Sequence, residues 1–304
     1  MPRIAVLGSL NMDLVARAPR FLRPGETLLG HSFHTAPGGK GANQAVAARR
    51  LGAHVAMIGR VGDDAFGQAL REGLEAEGLD VRHVDVTPSV STGVALITVD
   101  DCGENTIIVV PGANGLVSMA DVARAGPVVA QADVLLLQLE VPLPAVRDAA
   151  RRARESGVAV ILNAAPARPV DAGLLSLIDY LIVNETEAAE MASVDAGAPE
   201  IAARTLQDMG AHDVVVTLGA AGALLVAAGG ATTSVPAFDV ACVDTTAAGD
   251  AFVGAFAVAL AEGLTPDAAL RVGNAAGALA VTSAGAQPSL PTRAAVDALQ
   301  AARR

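Results

Sequence analysis

Aromatic residues are scarce in this chain of 304 residues, which has no tryptophan, one tyrosine and six phenylalanines. Basic residues are also outnumbered, since 21 Lys and Arg face 32 Asp and Glu and leave a net charge of −11. Proteins that bind nucleic acids use clustered basic side chains, together with aromatic rings that stack on bases. The composition therefore argues against nucleic acid as a partner.

Cysteine is nearly absent, because Cys102 and Cys242 are the only two and lie far apart in the sequence. This usage argues against a disulfide framework and against a CxxC metal site. The first residues, MPRIAVLGSLNMD, contain an apolar run that is too short for a signal peptide and has no cleavage pattern. We therefore expect a protein of the reducing cytoplasm.

One uncharged run, residues 214–231, approaches the length that spans a membrane. Glycines punctuate it in the way that is typical of turns between short strands. These glycines are Gly219, Gly222, Gly229 and Gly230. We predict two short buried strands here and no contact with a membrane.

Apolar residues make up 52 % of the chain and alternate between strand-like and helix-like segments. Clear examples are the segments 3–8, 41–52, 132–138, 144–157 and 158–163. Apolar strands separated by helices are typical of a parallel sheet covered by helices on both faces. The prediction is a single α/β domain over residues 1–304.

Two segments interrupt this alternation, at about 10–36 and 91–111, and contain short strand-like stretches without a helix between them. Such insertions form either a small β lid over an active site or ordinary surface hairpins. We expect the lid. Its exposed strand edges suggest pairing with a second copy, so a homodimer through the lid is expected as well.

Polar residues follow five of the predicted strands directly. They are Asn11 and Asp13, Gln138 and Glu140, Asn163, Asn184 and Glu187, and Thr217 with Gly219. Each can by itself be a helix cap or a turn former. In an open parallel sheet, however, ligands bind outside the carboxyl ends of the strands, and the coincidence over five strands favours a site.

The segment APGGKGANQA, residues 36–45, opens a helix with three glycines. It is not a Walker A loop, because no Ser or Thr follows Lys40 and the upstream glycine is missing. It is either a simple turn or a place where the backbone approaches a ligand closely. In the second case Lys40 and Asn43 offer donors suited to hydroxyl groups.

Two further segments suit a nucleotide. In VNETEAAE, Asn184 and Glu187 are three residues apart at a helix entry and can face one point. That pair is either a capping arrangement or a place where the carboxylate holds Mg²⁺ through water. The glycine-rich turn TLGAAG, residues 217–222, follows a strand and can pass close to a nucleotide.

The segment DTTAAGDAF, residues 244–252, places small residues and one carboxylate, Asp250, at the start of an apolar helix. Unpaired N–H groups and the helix dipole favour an anion at such a terminus. Because the side chains are small, a γ-phosphate can approach the backbone, and Asp250 can accept a proton from an attacking hydroxyl. The alternative is a plain helix cap.

Together these motifs resemble the pfkB family of carbohydrate kinases, over nearly the full length. The matching motifs, in family order, are GSLNMD, PGGKGANQAVAA, STGVALI, GENTIIVVPGAN, QLE, NAAPA, NETEA, TLGAAG, DTTAAGDAF and GAQPS. The resemblance is strongest to the ribokinase branch. It implies a three-layer ribokinase-like α/β fold with a mostly parallel central sheet and a β lid. It also implies ATP-dependent phosphorylation of the 5-hydroxyl of D-ribose.

The resemblance further implies a role for each matching residue. Asp250 would be the catalytic base, beside an anion hole formed by Ala247, Ala248 and Gly249. The sugar would be held by Asn11, Asp13, Gly39, Lys40, Gly41, Asn43 and Glu140. ATP would lie against Asn184, Thr217, Gly219, Gly222, Gly249 and Asn274, and Glu187 would organise Mg²⁺. A monovalent cation, K⁺, would be held by Asp244, Thr246, Ala280, Ser283, Gly285 and Ser289.

Three residues depart from the family pattern: Ala247 stands where many relatives have glycine, Asn274 stands where histidine is common, and Pro111 in VVPGAN is expected to stiffen the lid. Two other functions stay open at this point, a kinase for another pentose or nucleoside, such as 2-deoxyribose or adenosine, and a sugar sensor without catalysis. Asp13 speaks against 2-deoxyribose, because a carboxylate paired to vicinal hydroxyls penalises a substrate that lacks one. Intact Asp250 and Glu187 speak against the sensor.

Overall fold

Two β-sheets organise the chain in the computed structural model, which describes residues 1–302. The strands are β1 (Arg3–Leu7), β2 (Asn11–Arg17), β3 (Ser32–Gly38), β4 (His54–Gly62), β5 (Asp80–Thr87), β6 (Gly93–Val99), β7 (Asn105–Val110), β8 (Val134–Gln138), β9 (Ala159–Asn163), β10 (Tyr180–Asn184), β11 (Asp213–Thr217), β12 (Ala223–Val226) and β13 (Thr232–Val235). The large sheet has the order β13-β12-β11-β10-β9-β8-β1-β4-β5, and the small sheet has the order β3-β2-β6-β7.

Helices connect most strands of the large sheet. They are α1 (Lys40–Arg50), α2 (Ala65–Ala76), α3 (Met119–Arg124), α4 (Gly126–Ala130), α5 (Leu143–Glu155), α6 (Ala172–Leu175), α7 (Glu185–Ala192), α8 (Pro199–Asp208), α9 (Ala248–Ala261), α10 (Pro266–Ala280) and α11 (Arg293–Ala301). Within residues 1–302, no helix is long and apolar enough to cross a membrane.

Successive residues of β1 point into two separate cores. Ile4 and Val6 pack with residues of α1, α9 and α10, whereas Ala5 and Leu7 pack with residues of α5, α7 and α8. This alternation follows from the period of two in a strand, and it gives three layers, with the sheet between two helical layers. Pairing is parallel from β5 to β11 across the sheet and antiparallel at β12 and β13, so the predicted mostly parallel sheet is confirmed.

Most of the predicted elements are present. The predicted helices at 41–52 and 144–157 correspond to α1 and α5, and the uncharged run 214–231 contains the end of β11 and the whole of β12. The two edge strands of the large sheet, β5 and β13, were not identified from the sequence. Both alternate buried with more exposed residues and contain polar residues, so they lack the continuous apolar run of a central parallel strand.

The two interrupting segments form the small sheet. Strands β2 and β3 are antiparallel neighbours, β2 pairs in parallel with β6, and β6 pairs with β7. These strands lie within the predicted segments, except that β3 continues to Gly38, which pairs with Asn11. This register places the start of β2 directly beside the loop that leads into α1.

Helices α1 and α9 lie so close together at Gly254 that no space remains between them for a methyl group. A Cβ on Gly254 would lie 2.7 Å from the Ala47 Cβ and 2.8 Å from the Gln44 carbonyl oxygen. The residues of α9 from Asp250 to Ala259 are buried, as expected for a helix that is apolar on all sides. The contact fixes the position of the start of α9 relative to α1.

Substitution Gly254→Ala should lower the free energy of unfolding by roughly 1–2 kcal/mol, although alanine is the better helix former. The added methyl group has no space between the helices, and separating them costs packing. Denaturation in guanidinium measures the effect. The matched control is Gly73→Ala in α2, where a Cβ would meet no atom within 4 Å. That change should raise stability by roughly 0.5–1 kcal/mol, and equal effects of the two changes would contradict the prediction.

Candidate active site

The carboxyl ends of four neighbouring strands bring predicted polar residues together. Gln138 at the end of β8 pairs in register with Asn163 at the end of β9. Asn184 at the end of β10 pairs with Thr217 at the end of β11. These side chains share one edge of the sheet, where the start of α9 also lies.

Asp250 is the third residue of α9 and is only 7 % exposed. The Asn43 Nδ2 donates a hydrogen bond of 2.9 Å to Asp250 Oδ2, and the Gln44 Nε2 donates one of 3.0 Å to Oδ1. Burial raises the pKa of the Asp250 carboxyl, whereas the nearby Lys40 charge and these two donors lower it. Two elements distant in sequence, α1 and α9, therefore meet at this one carboxylate.

The backbone just before Asp250 has an unusual conformation. Ala247 caps α9 with φ of 59° and ψ of 10°, the left-handed region that residues with a Cβ seldom adopt. The Ala248 N–H donates to the Thr245 carbonyl at 3.2 Å, and a Cβ on Gly249 would meet no atom within 4 Å. The space beside the helix terminus is open, so an anion can reach its N–H groups.

Lys40 is the cation at the centre of an acidic cluster. Burial lowers the pKa of Lys40, but the charges of Asp250, Glu140, Glu187 and Asp13 together raise it above its ordinary value. The pKa of Asp13 is raised to about 7 by burial and by the charges of Glu140 and Asp250, against the opposing effect of Lys40. One ammonium group thus faces four carboxyl groups, which favours ligands that bring hydroxyl protons or cations.

Glu140 is held by Ser9, a residue that the sequence motifs did not single out. The Ser9 hydroxyl donates to Glu140 Oε2, and the Lys40 backbone N–H donates to the same oxygen at 3.1 Å. The Gly41 N–H in turn donates to the Ser9 oxygen at 3.3 Å. Gly39 has φ of 90°, and a Cβ there would lie 2.7 Å from the Asn11 nitrogen, so this crossing of chains requires glycine.

Asn114 is a second residue that sequence reasoning did not assign to the site. Its Oδ1 accepts from the Leu10 N–H at 2.9 Å, and its Nδ2 donates to the Leu10 carbonyl at 3.0 Å and to Asn11 Oδ1 at 2.8 Å. The Asn11 amide nitrogen is therefore oriented away from Asn114. The signal was present in the GAN motif, but its partner lies 104 residues earlier in the chain.

A cavity of about 220 Å³ lies beside Asp250. It is lined by Lys40, Asn163, Ala165, Ile182, Val183, Asn184, Glu187, Thr217, Thr245, Ala247, Gly249, Asp250 and Val253. Asn184 and Glu187 form a capping box at the start of α7, with bonds of 2.9 and 2.8 Å. Capping occupies one Glu187 oxygen and leaves the side chain facing the cavity.

Three residues predicted to contact a nucleotide lie outside the lining of this cavity within the described chain: Gly219, Gly222 and Asn274. The Asn274 Nδ2 donates to the carbonyls of Val235 and Pro236 at 2.9 and 3.2 Å. Gly222 has φ of 106°, and a Cβ there would lie 2.1 Å from the Val235 oxygen. In this structure, Gly222 and Asn274 position the segment that follows β13.

The loops predicted to hold a monovalent cation are joined by Asp244. Its Oδ1 accepts from the Thr246 N–H at 2.9 Å and from the Thr246 hydroxyl at 2.6 Å, and its Oδ2 accepts from the Gly285 N–H at 2.8 Å. Burial alone would raise the pKa of Asp244, but these donors lower it. Ala280, Ser283 and Ser289 lie at or near this second loop, where the Ser289 hydroxyl donates to the Ala286 carbonyl at 2.8 Å.

The chain is similar to known kinases along nearly its whole length. The model of the family described as pfkB family carbohydrate kinase matches residues 1–293. A ribokinase from Haemophilus influenzae is 45% identical over 95% of this chain and 95% of its own length. A deoxyribokinase from Salmonella typhi is 38% identical, again over 95% of each chain.

Among solved structures, the Arabidopsis thaliana ribokinase complexed with ribose and ATP superposes with a TM-score of 0.91 and 34% identity, covering 98% of both chains. The predicted ribokinase-like fold is thereby confirmed, and so is the resemblance on which it was based. The family model covers residues 1–293, and the Haemophilus influenzae relative matches over 95% of its own length. This chain belongs to the pfkB family of carbohydrate kinases.

Proposed function

We propose that this chain is an ATP-dependent kinase that phosphorylates the 5-hydroxyl of D-ribose, giving D-ribose 5-phosphate and ADP. The observation that carries the proposal is the buried Asp250 carboxylate at an open helix terminus, between the acidic cluster around Lys40 and the cavity beside Glu187. A base located between a hydroxyl-binding region and an anion-binding region suits phosphoryl transfer to an alcohol.

The sugar would occupy the region around Lys40. Asn43 Oδ1 is buried and has no hydrogen-bond partner within residues 1–302, so it is an acceptor that awaits a hydroxyl. Carboxylate oxygens and amide groups that suit the other hydroxyls come from Asn11, Asp13 and Glu140, and Gly39 and Gly41 allow the backbone to approach the sugar. The mixture of acceptors and donors matches a polyhydroxylated ligand.

Transfer would proceed by proton removal and charge stabilisation. Asp250 accepts the proton of the sugar 5-hydroxyl as the hydroxyl oxygen bonds to the γ-phosphorus of ATP. The bond between that phosphorus and the bridging oxygen breaks, and ADP leaves. The helix terminus formed by Ala247, Ala248 and Gly249 would stabilise the negative charge on the transferred phosphoryl group, with the Ala248 N–H exchanging its bond to the Thr245 carbonyl for a phosphoryl oxygen. Adenosine and the remaining phosphates would lie toward the turns that contain Asn184, Thr217, Gly219 and Gly222, next to Asn274.

Two cations complete the proposal. Glu187 faces the cavity with a hard oxygen donor, which suits Mg²⁺ held through water and the phosphates of ATP, and there the ion would neutralise phosphate charge. Such an ion would be bound mainly by the phosphates of its substrate and by water.

The potassium proposal concerns the two loops joined by Asp244. Backbone carbonyls of these loops, with the hydroxyl oxygens of Thr246, Ser283 and Ser289, would supply the oxygen ligands that a weakly hydrated monovalent cation accepts. The residues proposed to hold K⁺ are Asp244, Thr246, Ala280, Ser283, Gly285 and Ser289. When bound there, the cation would add positive charge behind the anion hole.

The small sheet β3-β2-β6-β7 is proposed to close over the sugar and exclude water. Its outer strand β7 is exposed along its whole length, and Phe33, Ile107 and Ile108 are 65%, 52% and 64% exposed. Apolar side chains beside free strand edges favour pairing with a second copy, so we also propose a homodimer through this sheet. The free thiols of Cys102 and Cys242 are exposed, which fits the proposed cytoplasmic location.

A kinase for 2-deoxyribose is the alternative that a specific observation favours, because the Salmonella typhi deoxyribokinase is 38% identical to this chain. Asp13 bears on the choice. A half-buried carboxylate that lacks its hydroxyl partner would remain unsatisfied when the 2-hydroxyl is missing, so we favour ribose.

The first test is ADP release from ATP and Mg²⁺ with D-ribose, 2-deoxyribose, fructose or adenosine, each in potassium and in sodium buffer. We expect the largest kcat/KM with D-ribose and a higher rate in potassium, because the cation loops lie next to the anion hole. A greater kcat/KM with 2-deoxyribose than with D-ribose would mean that the chain is a kinase for 2-deoxyribose. Equal rates in potassium and sodium would remove the cation proposal.

Substitution Asp250→Asn should lower kcat by roughly 10²-fold or more, since the amide cannot accept the proton, and leave ribose binding within about threefold. Steady-state kinetics and calorimetric titration with ribose separate the two effects. The exposed Asp208→Asn in α8 serves as the matched control and should leave both unchanged. Near-normal turnover of the Asp250 variant would rule out its role as the base.

Substitution Asp13→Asn should weaken ribose binding by roughly tenfold or more and stabilise the fold at pH 8. With a pKa of about 7 in the folded state against 3.8 for the free group, Asp13 binds more protons when folded. Its contribution to stability is therefore lost as the pH rises from about 4 through 7. Asparagine removes this loss, so we expect a gain of about 1–2 kcal/mol at pH 8 and a smaller gain at pH 5. The exposed Asp239→Asn should show no such gain.

A further inference from the structure

A chain of three buried amide side chains ends on Asp250. Gln44 and Gln138 are 0% exposed, and Asn163 is 9% exposed. Gln138 Nε2 donates to Gln44 Oε1 at 2.6 Å, and Gln44 Nε2 donates to Asn163 Oδ1 and to Asp250 Oδ1, both at 3.0 Å. Buried glutamines are uncommon, and these come from α1 and β8 and meet at the proposed base.

A backbone carbonyl sets the direction of every bond in this chain. Asn163 Nδ2 donates to the Ile182 carbonyl at 3.1 Å, and a carbonyl can only accept. Asn163 must therefore present its oxygen to Gln44, and Gln44 must present its NH₂ group to both Asn163 and Asp250. The Gln44 oxygen then faces Gln138, which has to donate. Turning over any one amide would bring two oxygens or two NH₂ groups together.

The second contact of Asp250 lacks such a constraint. Asn43 Nδ2 donates to Asp250 Oδ2 at 2.9 Å, but Asn43 Oδ1 has no partner among the described residues. The Asn43 amide is thus free to reorient when a hydroxyl group arrives. The Gln44 amide is not, because reversing it would break three hydrogen bonds at once.

We propose that Gln44 is a positioning residue that holds Asp250. Its Nε2 donates to Asp250 Oδ1, and its amide cannot turn over, so Oδ2 is left as the atom that accepts the proton. This inference rests on the proposed kinase function and names an atom for its proton transfer. A permanent donor at Oδ1 keeps the carboxylate plane fixed and the charge on Oδ1 compensated. The remaining lone pairs of Oδ2, which do not accept from Asn43, would then face the proposed position of the sugar.

The bond to Gln44 also matters for the charge state of Asp250. The charged groups that act on it are Lys40, which lowers its pKa, and Glu140, Asp13 and Glu187, which share the same acidic cluster. A donor to the ionised carboxylate opposes the rise in the pKa of Asp250 that burial causes. If the Gln44 donor is lost and the four charged groups stay in place, the pKa of Asp250 should rise. The acidic limb of the pH profile of kcat/KM should therefore move to higher pH.

The test compares Gln44→Met with Gln207→Met. Methionine matches glutamine in length without a donor, and Gln207 in α8 likewise donates two bonds, to the His212 and Val226 carbonyls at 2.8 and 3.0 Å, away from the site. For Gln44→Met we expect kcat to fall roughly tenfold or more with the KM for ribose within about threefold. The acidic limb of kcat/KM should move up by about one pH unit. Gln207→Met should change neither.

Two further variants keep the inference open to contradiction. Gln138→Met leaves every contact of Asp250 in place and frees only the Gln44 oxygen, so it should shift the pH profile in the same direction by a smaller amount. It serves as the test if Gln44→Met does not fold. Gln44→Glu should move the acidic limb further than Gln44→Met does, because a second carboxylate beside Asp250 raises its pKa.

The outcomes separate the two proposals. If the unaltered protein phosphorylates no sugar, the proposed function fails. If it is active but Gln44→Met and Gln138→Met keep the pH profile of Gln207→Met, with kcat changing only in step with the melting temperature, the positioning role is overturned. A shifted acidic limb at unchanged KM supports it.

Discussion

The burial of one carboxylate is the constraint on which the site depends. Asp250 is nearly inaccessible to solvent, and an isolated carboxylate in such a place would become protonated and lose its use as a base. Three groups oppose this outcome: the Lys40 charge and the amide donors of Asn43 and Gln44. All three belong to α1, so the basicity of a residue on α9 depends on how that neighbouring helix is placed.

The placement of α1 depends on small residues. A methyl group on Gly254 would collide with α1, and a Cβ on Gly41 would lie 2.6 Å from the Ser9 nitrogen. Glycines and alanines thus bring the two helices and the β1–β2 connection close enough for short side chains to reach Asp250. This explains why a chain so poor in aromatic residues forms a tight site, since close approach of backbones replaces bulky side chains.

Excess negative charge is the second property that the function uses. The charges of four carboxyl groups act on Lys40, and burial together with the charges of Glu140 and Asp250 raises the pKa of Asp13 to about 7. Repulsion among carboxyl groups costs stability, and a ligand that brings hydroxyl protons or positive charge would relieve it. ATP is itself an anion, so its approach to this region calls for positive charge, part of which the helix terminus supplies.

From the sequence alone we could predict the parallel α/β architecture, the small sheet and most of the residues around Asp250. Its signals were local: apolar runs of strand length, polar residues directly after them, and small residues before a carboxylate at a helix start. Strands β5 and β13 lack such runs because they lie at the edges of the sheet, and they were missed.

Which polar residues form hydrogen bonds with one another is visible only in the tertiary structure. Ser9 meets Glu140 across 131 residues, and Gln44 meets Asp250 across 206. Asn274 donates to the Val235 carbonyl across 39 residues. Hydrogen-bond partners far apart in the chain leave no periodic or local signal, because their meeting depends on how helices and strands pack, and packing exists only in the folded molecule.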